Sequence, residues 1–305
     1  MQTIRRSDFF SRDQLRRINM FTEDTLQEKV LLITGGGSGL GLSMAKQFAK
    51  FGADVAICGR TEEKLLKAAE EIRAFGHRVL THVVDVREYD AVGKMIARVV
   101  DELGRLDGLV NNAAGNFYSP SEDLSPKGFK AVVDIVLHGT FNCSQHFGKY
   151  LIANRRPGNI LNIVTTYTQT GSAFVLPSAA AKAGVEAMTK SLAFEWATYH
   201  IRVNAIAPGP FPTKGAWVRL MPDPQLEQAY LQRLPTGRYG QHEELANLAV
   251  FLMSDLAPYI TGETITIDGG ERLLAGQFNF LAQLMPREQL KKLFVQLRKS
   301  RNRSK

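Results

Sequence analysis

A glycine-rich segment, TGGGSGLG, occupies residues 34–41 and follows directly on the apolar run Val30–Thr34. Glycines allow a tight turn and let the backbone approach a phosphate, while the start of the following helix supplies N–H donors and the positive end of its dipole. This order of strand, glycine turn and helix is the context in which the motif binds the pyrophosphate of a dinucleotide. The residues predicted to form this site are Thr34, Gly35, Gly37, Ser38, Gly39, Leu40 and Gly41.

The end of the second predicted strand indicates which dinucleotide binds. NAD-binding sites of this kind place an acid there for the ribose hydroxyls, whereas an arginine can pair with the 2′-phosphate of NADP. Here the sequence reads Cys58-Gly59-Arg60, without an acid. We therefore predict NADP(H), with Arg60 on the 2′-phosphate. Asp85, after the third predicted strand, is expected to accept a hydrogen bond from the adenine amino group, with Val86 beside it.

These residues need a scaffold whose strands end side by side. Short apolar runs alternate with amphipathic stretches along most of the chain, which predicts an α/β architecture with a doubly wound parallel sheet in a single domain. The predicted strands are 30–34, 54–58, 79–84, 109–111, 160–165, 203–206 and 263–267. The predicted helices are 40–51, 62–75, 91–103, 126–153, 178–199 and 243–254.

One domain over residues 27–275 accounts for this pattern, with a Pro-rich segment at about 208–235 predicted as a substrate lid. Residues 1–26 form an N-terminal extension, and residues 276–305 form a basic, partly helical C-terminal extension. Residues 287–305 contain eight Lys or Arg and one Glu, a net of +7 in a chain whose formal charge is +8. Without aromatic or motif support this does not predict nucleic-acid binding. The tail is either solvated or attracts the phosphates of a ligand.

Composition limits the classes of protein to which the chain can belong. The chain has 305 residues, 44% of them hydrophobic, which allows a substantial core. Its two cysteines lie far apart and its six histidines have no ligand spacing, so neither a disulfide framework nor a metal site is expected. No apolar run approaches the roughly 18 residues of a membrane span. We expect a cytoplasmic protein. The mitochondrial matrix is the alternative, because residues 1–19 hold five arginines as a transit peptide would, although such peptides usually lack acids and this segment has two.

Several motifs in register resemble the short-chain dehydrogenase/reductase family over about residues 27–275. They are TGGGSGLG, Asn111-Asn112-Ala113-Ala114-Gly115 after the fourth strand, Pro208-Gly209-Pro210 after the sixth, and Asp268-Gly269-Gly270. The resemblance implies a single-domain Rossmann fold. It also implies that the cofactor contacts Asn112, Ala113, Pro208, Gly209 and Thr213, and that Lys182 holds the nicotinamide ribose.

The chain departs from that family at its proton relay. Most members carry Tyr-x-x-x-Lys, in which the tyrosine exchanges a proton with an alcohol or ketone oxygen. Here Ser178 stands four residues before Lys182, and none of the eight tyrosines is followed by a lysine at that spacing. Val136 also stands where the family usually has the relay asparagine. Ketone–alcohol chemistry by the usual route is therefore not expected.

One subgroup of the family fits both departures, because the chain resembles short-chain 2,4-dienoyl-CoA reductases. The likeness is carried by Gly115-Asn116-Phe117, Asp134-Ile135-Val136-Leu137, Tyr167 with Thr170-Gly171-Ser172, Pro177-Ser178 with Ala181-Lys182-Ala183-Gly184, Pro208-Gly209-Pro210 with Thr213-Lys214-Gly215-Ala216, and Glu244-Leu245-Ala246-Asn247.

This resemblance implies that Tyr167 and Asn116 hydrogen-bond the thioester carbonyl of an acyl-CoA and stabilise a dienolate. Lys182 completes the implied catalytic set, while Ser178 and Phe117 line the substrate site. The implied reaction reduces 2,4-dienoyl-CoA to 3-enoyl-CoA with NADPH, in the β-oxidation of unsaturated fatty acids. The implied assembly is a homotetramer.

Two other functions stay open from the sequence. A trans-2-enoyl-CoA reductase would share the carbonyl donors and act on a monoene. A catalytically inactive NADP-binding protein would explain Ser178 as decay, although decay does not account for Asn116 and Tyr167 standing where the subgroup has its donors.

Overall fold

The computed structural model describes residues 21–213, 217 and 223–303, and these form a three-layer α/β fold. A seven-stranded sheet lies in the middle, with every pair of neighbours parallel and the order β3-β2-β1-β4-β5-β6-β7. The strands are β1 (Val30–Thr34), β2 (Asp54–Gly59), β3 (Val79–Val83), β4 (Gly108–Asn111), β5 (Gly158–Ile163), β6 (Ile201–Pro208) and β7 (Thr264–Ile267). The predicted doubly wound Rossmann fold is confirmed.

The helices cover both faces of the sheet. They are α1 (Gly39–Lys50), α2 (Glu62–Arg73), α3 (Tyr89–Leu103), α4 (Pro126–Val133), α5 (Gly139–Ala153), α6 (Tyr167–Thr170), α7 (Leu176–Trp196), α8 (Pro224–Arg233), α9 (His242–Met253), α10 (Leu281–Leu284) and α11 (Arg287–Arg303). Because strand side chains alternate between faces, Leu31 and Ile33 of β1 join the core with α1, α2 and α9, whereas Val30 and Leu32 join the core with α3, α5 and α7.

The strand order reverses at β1, and this reversal creates the site. β1 pairs with β2 on one side and with β4 on the other, so Leu31 lies opposite both Val55 and Gly108. The connections on either side of β1 therefore leave in opposite directions. A crevice opens at the carboxyl ends of these strands, where open α/β sheets bind their ligands.

The helix predicted over 126–153 contains a π-helical turn at Asp134–His138 between α4 and α5. Ser125 caps its start by accepting a hydrogen bond from the Gly128 amide. Inside the turn, Val136 is buried against Ala181 and Val185 of α7. The position of the family's relay asparagine is therefore part of an apolar core.

Helix α7 begins at Leu176, two residues before the predicted start. Ser178 thus lies in the first turn, where the preceding Pro177 is tolerated because the first residues of a helix have no internal partner for an N–H. Phe21 and Leu26, which precede the predicted domain start at residue 27, are buried in the core. Residues 1–20 of the N-terminal extension and lid residues 214–216 and 218–222 lie outside the described residues. No helix within the described ranges is long and apolar enough to cross a membrane.

Candidate active site

The glycine turn joins β1 to α1 and is fixed to the end of β2. The amides of Gly35 and Gly36 donate to the Cys58 carbonyl at 2.8 and 3.3 Å. Gly35 and Gly39 adopt φ of 66° and 55°, a region that costs a side-chain-bearing residue free energy. A Cβ on Gly41 would lie 2.4 Å from the Gly35 carbonyl oxygen. The turn therefore presents bare backbone at the start of α1.

Thr34 supports this turn from below. Its hydroxyl oxygen accepts hydrogen bonds from the amides of Asn112 (2.9 Å) and Ala113 (3.0 Å), and the Asn112 side chain donates to the Thr34 carbonyl at 2.9 Å. These bonds join the carboxyl ends of β1 and β4. Thr34 is 1% exposed, and its hydrogen bonds hold the two strand ends together.

A cleft of about 1190 Å³ runs across the carboxyl edge of the sheet. It collects most of the residues that the sequence predicted: Gly35, Gly37, Ser38, Gly39, Leu40, Arg60, Asp85, Val86, Asn112, Ala113, Asn116, Tyr167, Ser178, Lys182, Pro208, Gly209 and Thr213. Thr34, Gly41 and Phe117 are the predicted residues outside this lining. The Phe117 ring instead lies beside α4, where a Cβ on Gly128 would be 3.1 Å from it.

One end of the cleft is basic. Arg60 shares it with Lys64 and Lys67 from the first turns of α2, and Gly37 lies against the backbone of Lys64 and Leu65. Neither lysine was predicted as a site residue, although both lie on the amphipathic helix that follows Arg60. Asp85 also faces this end, and its side-chain hydrogen bond with Arg87 holds the pKa of the carboxyl below its usual value. It is therefore an ionised acceptor.

Lys182 lies in the middle of the cleft, one helical turn after Ser178. Its side chain is buried, and its ammonium donates to the Ile163 carbonyl at the end of β5. Burial lowers the pKa of Lys182 from 10.5 to about 8, because a low-dielectric environment disfavours the charged form.

The Tyr167 hydroxyl and the Ser178 hydroxyl lie 2.9 Å apart, in hydrogen-bond contact. Tyr167 stands at the start of α6, and Ser178 is 3% exposed in the first turn of α7. The serine that replaces the family tyrosine therefore contacts the tyrosine that was predicted to act. Both residues were predicted site residues, but their hydrogen bond was not predicted.

Asn116 is oriented by its own turn. Its side-chain oxygen accepts a hydrogen bond from the Phe117 amide at 2.9 Å. With that oxygen engaged, the amide nitrogen is the end of the side chain that can donate to a ligand in the cleft. Asn116 and Tyr167 both line the cleft, and each carries a hydrogen-bond donor.

The family model described as enoyl-(acyl carrier protein) reductase matches residues 35–271. The chain belongs to the short-chain dehydrogenase/reductase family. A Bacillus subtilis protein named as a probable (2E)-enoyl-CoA-producing 2,4-dienoyl-CoA reductase is 46% identical over 249 residues, which cover 81% of this chain and 98% of that protein. The similarity supports the family membership that the motifs predicted, and the chain is accordingly an oxidoreductase.

Two further proteins agree with this assignment. A Caenorhabditis elegans protein named as a probable (3E)-enoyl-CoA-producing 2,4-dienoyl-CoA reductase is 42% identical, covering 82% of each chain. The crystal structure of a short-chain dehydrogenase from Bacillus anthracis superposes with a TM-score of 0.75 at 51% identity. That match covers 81% of this chain and 97% of the other.

Members of the short-chain family use a nicotinamide cofactor, and the cleft fits one. The bare backbone at Gly37 and Gly39 leaves room for a pyrophosphate beside the start of α1. Lys182 offers a buried donor for ribose hydroxyls, and Arg60 with Lys64 offers positive charge at the other end. Within the described part of the chain, no group of three or more His, Cys, Asp or Glu residues could hold a metal ion.

Proposed function

We propose that this short-chain oxidoreductase uses NADPH to reduce the conjugated double bonds of a 2,4-dienoyl-CoA to a 3-enoyl-CoA, as an auxiliary step in unsaturated fatty acid β-oxidation. The observation that carries the proposal is the contact between Tyr167 and Ser178 in a cleft that also holds Lys182 and Asn116. Such a site has donors for a carbonyl oxygen and lacks the tyrosine–lysine relay of an alcohol dehydrogenase. The names of the similar proteins support the same substrate class.

The side chains support this reaction by stabilising negative charge on the thioester oxygen. Reduction at the far end of a conjugated dienoyl thioester moves charge onto that oxygen. The Tyr167 hydroxyl and the Asn116 amide are the donors that would receive it, as in an oxyanion hole. Ser178 accepts or donates at the Tyr167 hydroxyl and so holds it in one orientation.

Bound NADPH would supply the hydride. Lys182 would hold its ribose, and the neighbouring Ile163 carbonyl fixes the direction of the ammonium. A water molecule can then protonate the α-carbon of the acyl group, since none of these side chains has to deliver a proton to an alcohol oxygen. Arg60, with Lys64 beside it, would favour the 2′-phosphate of NADP(H).

The trans-2-enoyl-CoA reductase is the second candidate, because the same two donors serve a monoenoyl thioester. A catalytically inactive NADP-binding protein is less well supported, since Tyr167, Ser178 and Lys182 keep an ordered set of hydrogen bonds. The two similar proteins carry names with different products, (2E)- and (3E)-enoyl-CoA, so the position of the product double bond needs its own measurement.

The deciding experiment mixes the purified protein with NADPH and 2,4-hexadienoyl-CoA and follows NADPH absorbance, with crotonyl-CoA as the parallel monoene. We expect oxidation with the diene alone. Oxidation with both substrates would favour the enoyl-CoA reductase, and oxidation with neither, despite measurable NADPH binding, would contradict the proposal. NMR of the product then locates its double bond.

Assembly and compartment complete the proposal. Phe141 on α5 and Phe194 on α7 are large apolar side chains that are 43% and 89% exposed, which supports association into a homotetramer. Cys58 and Cys143 are both free and buried, in keeping with the reducing cytoplasm or mitochondrial matrix. Light scattering of the purified protein measures the assembly directly.

A further inference from the structure

Trp217 lines the cleft near the nicotinamide-side residues Gly209 and Thr213 and has no role in the proposed mechanism. Its indole N–H donates to the carboxylate of Glu227 on α8 at 2.9 Å. Because that bond satisfies the only polar group of the side chain, the indole offers apolar aromatic surface to the cleft.

Two tyrosines hold this ring from behind. The Trp217 and Tyr239 rings lie 4.9 Å apart and nearly perpendicular at 70°, and Tyr230 lies 6.0 Å from Trp217. The two tyrosine rings stack on each other at 6.3 Å, and the Tyr239 hydroxyl donates to the Glu227 carbonyl. We call Trp217, Tyr230 and Tyr239 the aromatic wall.

The aromatic wall is tied to the body of the protein through Glu271. The Tyr230 hydroxyl donates to Glu271, which follows β7 at the start of a 3₁₀ turn. The other Glu271 oxygen would lie 3.2 Å from a Cβ placed on Gly209, so this carboxyl stands directly behind the cleft lining. The wall is therefore fixed at both ends, by Glu227 on α8 and by Glu271 beside β7.

The anchor of the aromatic wall lies beside the helix that carries Tyr167. Arg272, the residue after Glu271, donates to the Gln169 side chain on α6 at 3.4 Å. Tyr167 begins α6, and both Tyr167 and Trp217 line the cleft. The 3₁₀ turn that holds Glu271 therefore links the wall to the Tyr167 side of the cleft.

We propose that Trp217 determines specificity by stacking its indole face on the planar, conjugated acyl group of the substrate. This inference rests on the proposed function and adds to it the residue that distinguishes a conjugated from a saturated acyl chain. A flat dienoyl thioester presents a continuous π surface to the ring, whereas a saturated chain presents only methylene edges. Glu227, Tyr230 and Tyr239 act as positioning residues for the ring.

The kinetic test compares Trp217→Ala and Trp217→Phe with the wild type. Trp217→Ala should lower kcat/KM for 2,4-hexadienoyl-CoA about ten-fold, and Trp217→Phe should stay within about three-fold because it keeps a stacking ring. The inhibition constant of hexanoyl-CoA should change by less than about two-fold in both variants. Tyr259→Ala, which removes a fully exposed aromatic ring outside the cleft, is the matched control and should change nothing.

A binding test reports on the contact without turnover. The chain has two tryptophans, and Trp196, the last residue of α7, is buried against Gly148 of α5. With NADP⁺ bound, 2,4-hexadienoyl-CoA should quench tryptophan fluorescence in the wild type. The effect should vanish in Trp217→Phe, which keeps Trp196 and corrects for light absorbed by the ligand.

The outcomes separate the two proposals. If the wild type reduces the diene but Trp217→Ala keeps its kcat/KM and Trp217→Phe keeps the quenching, the role of Trp217 is refuted and the reductase stands. Equal losses for the dienoyl substrate and the hexanoyl inhibitor would also overturn the selection of conjugated chains. If the wild type reduces no acyl-CoA, the proposed function and this inference both fail. Should Trp217→Ala fail to fold, Trp217→Phe still decides through its fluorescence.

Discussion

At the scale of single residues, the main feature of the site is Ser178, which stands where most members of the family have a tyrosine. Ser178 is too short to reach a substrate oxygen as a tyrosine would, but it contacts the Tyr167 hydroxyl at 2.9 Å. In the proposed mechanism, the hydroxyl group that contacts the substrate carbonyl is therefore supplied from α6 instead of α7.

Removing either carbonyl donor should slow turnover strongly. We expect Tyr167→Phe and Asn116→Ala each to lower kcat for 2,4-hexadienoyl-CoA about a hundred-fold, the usual loss for one oxyanion donor. The dissociation constant of NADPH, measured by fluorescence titration, should stay unchanged in both. Near-normal rates in the two variants would refute the dienolate mechanism.

Lys182 should make cofactor binding depend on pH. Its pKa of about 8 means that the free protein carries the ammonium below that pH and loses it above. Because NADPH is anionic and favours the charged form, its dissociation constant should rise as the pH increases from 7 to 9. Lys182→Gln should bind more weakly at pH 7 and show a flat profile. A wild-type profile equally flat would contradict the assignment.

Arg60 should set the choice between the two dinucleotides. Arg60→Ala removes a partner of the 2′-phosphate and should raise the KM for NADPH about ten-fold, while the KM for NADH changes little. Lys46→Ala is the control, since Lys46 lines the same cleft but is paired with Glu71 at 2.9 Å. An equal loss for NADPH and NADH in Arg60→Ala would show that the arginine does not read the phosphate.

At the scale of elements, the sequence predicted those strands and turns whose structure depends on neighbouring residue types. Buried runs such as 30–34 and the glycine turn were predictable, because strand burial and backbone approach to a phosphate leave clear residue types. The aromatic wall was not, because Trp217, Tyr230 and Tyr239 come from separate segments without periodicity. The π-helical turn at Asp134–His138 also left no pattern, since a helix with one wider turn keeps its amphipathic character.

The Trp196 ring, at the end of α7, packs against α5 at Gly148, which has no side chain. A Cβ on Gly148 would lie 2.5 Å from the Trp196 ring. Gly148→Ala should therefore lower the free energy of unfolding in urea by about 1–3 kcal/mol, although alanine is the better helix former. Because Trp196→Phe relieves the contact, the double variant should lose less than the two single losses combined. If the two losses in the free energy of unfolding simply add, the contact between residue 148 and the Trp196 ring is not what destabilises Gly148→Ala.

At the scale of the whole molecule, the net positive charge lies at the two ends of the chain. Residues 287–305 carry a net of +7 and residues 1–19 a net of +3, in a protein whose formal charge is +8. Helix α11 begins there at Arg287, and Leu290 is buried while Phe294 and Leu297 are exposed. The basic tail could be predicted from composition. Which of its apolar residues is buried could not, because that depends on side-chain packing and not on charge.

Deleting residues 287–305 tests whether the tail attracts the phosphates of the acyl-CoA. We expect KM for 2,4-hexadienoyl-CoA to rise several-fold at low salt while kcat stays the same, because long-range attraction accelerates encounter and not chemistry. Raising the ionic strength to about 0.3 M should erase the difference, since charges are then screened within a few ångströms. An unchanged KM at low salt would identify the tail as merely solvated.

The central place of β1 in the sheet also matters while the chain is being made. The Val30 amide finds its partner, the Asp107 carboxylate, 77 residues further along. At about 5–20 residues per second of synthesis, β1 waits roughly 4–15 s after it leaves the ribosome with the backbone N–H and C=O groups of one edge unpaired. The order of strands that creates the cleft therefore gives every newly made copy an interval in which aggregation or a chaperone competes with folding.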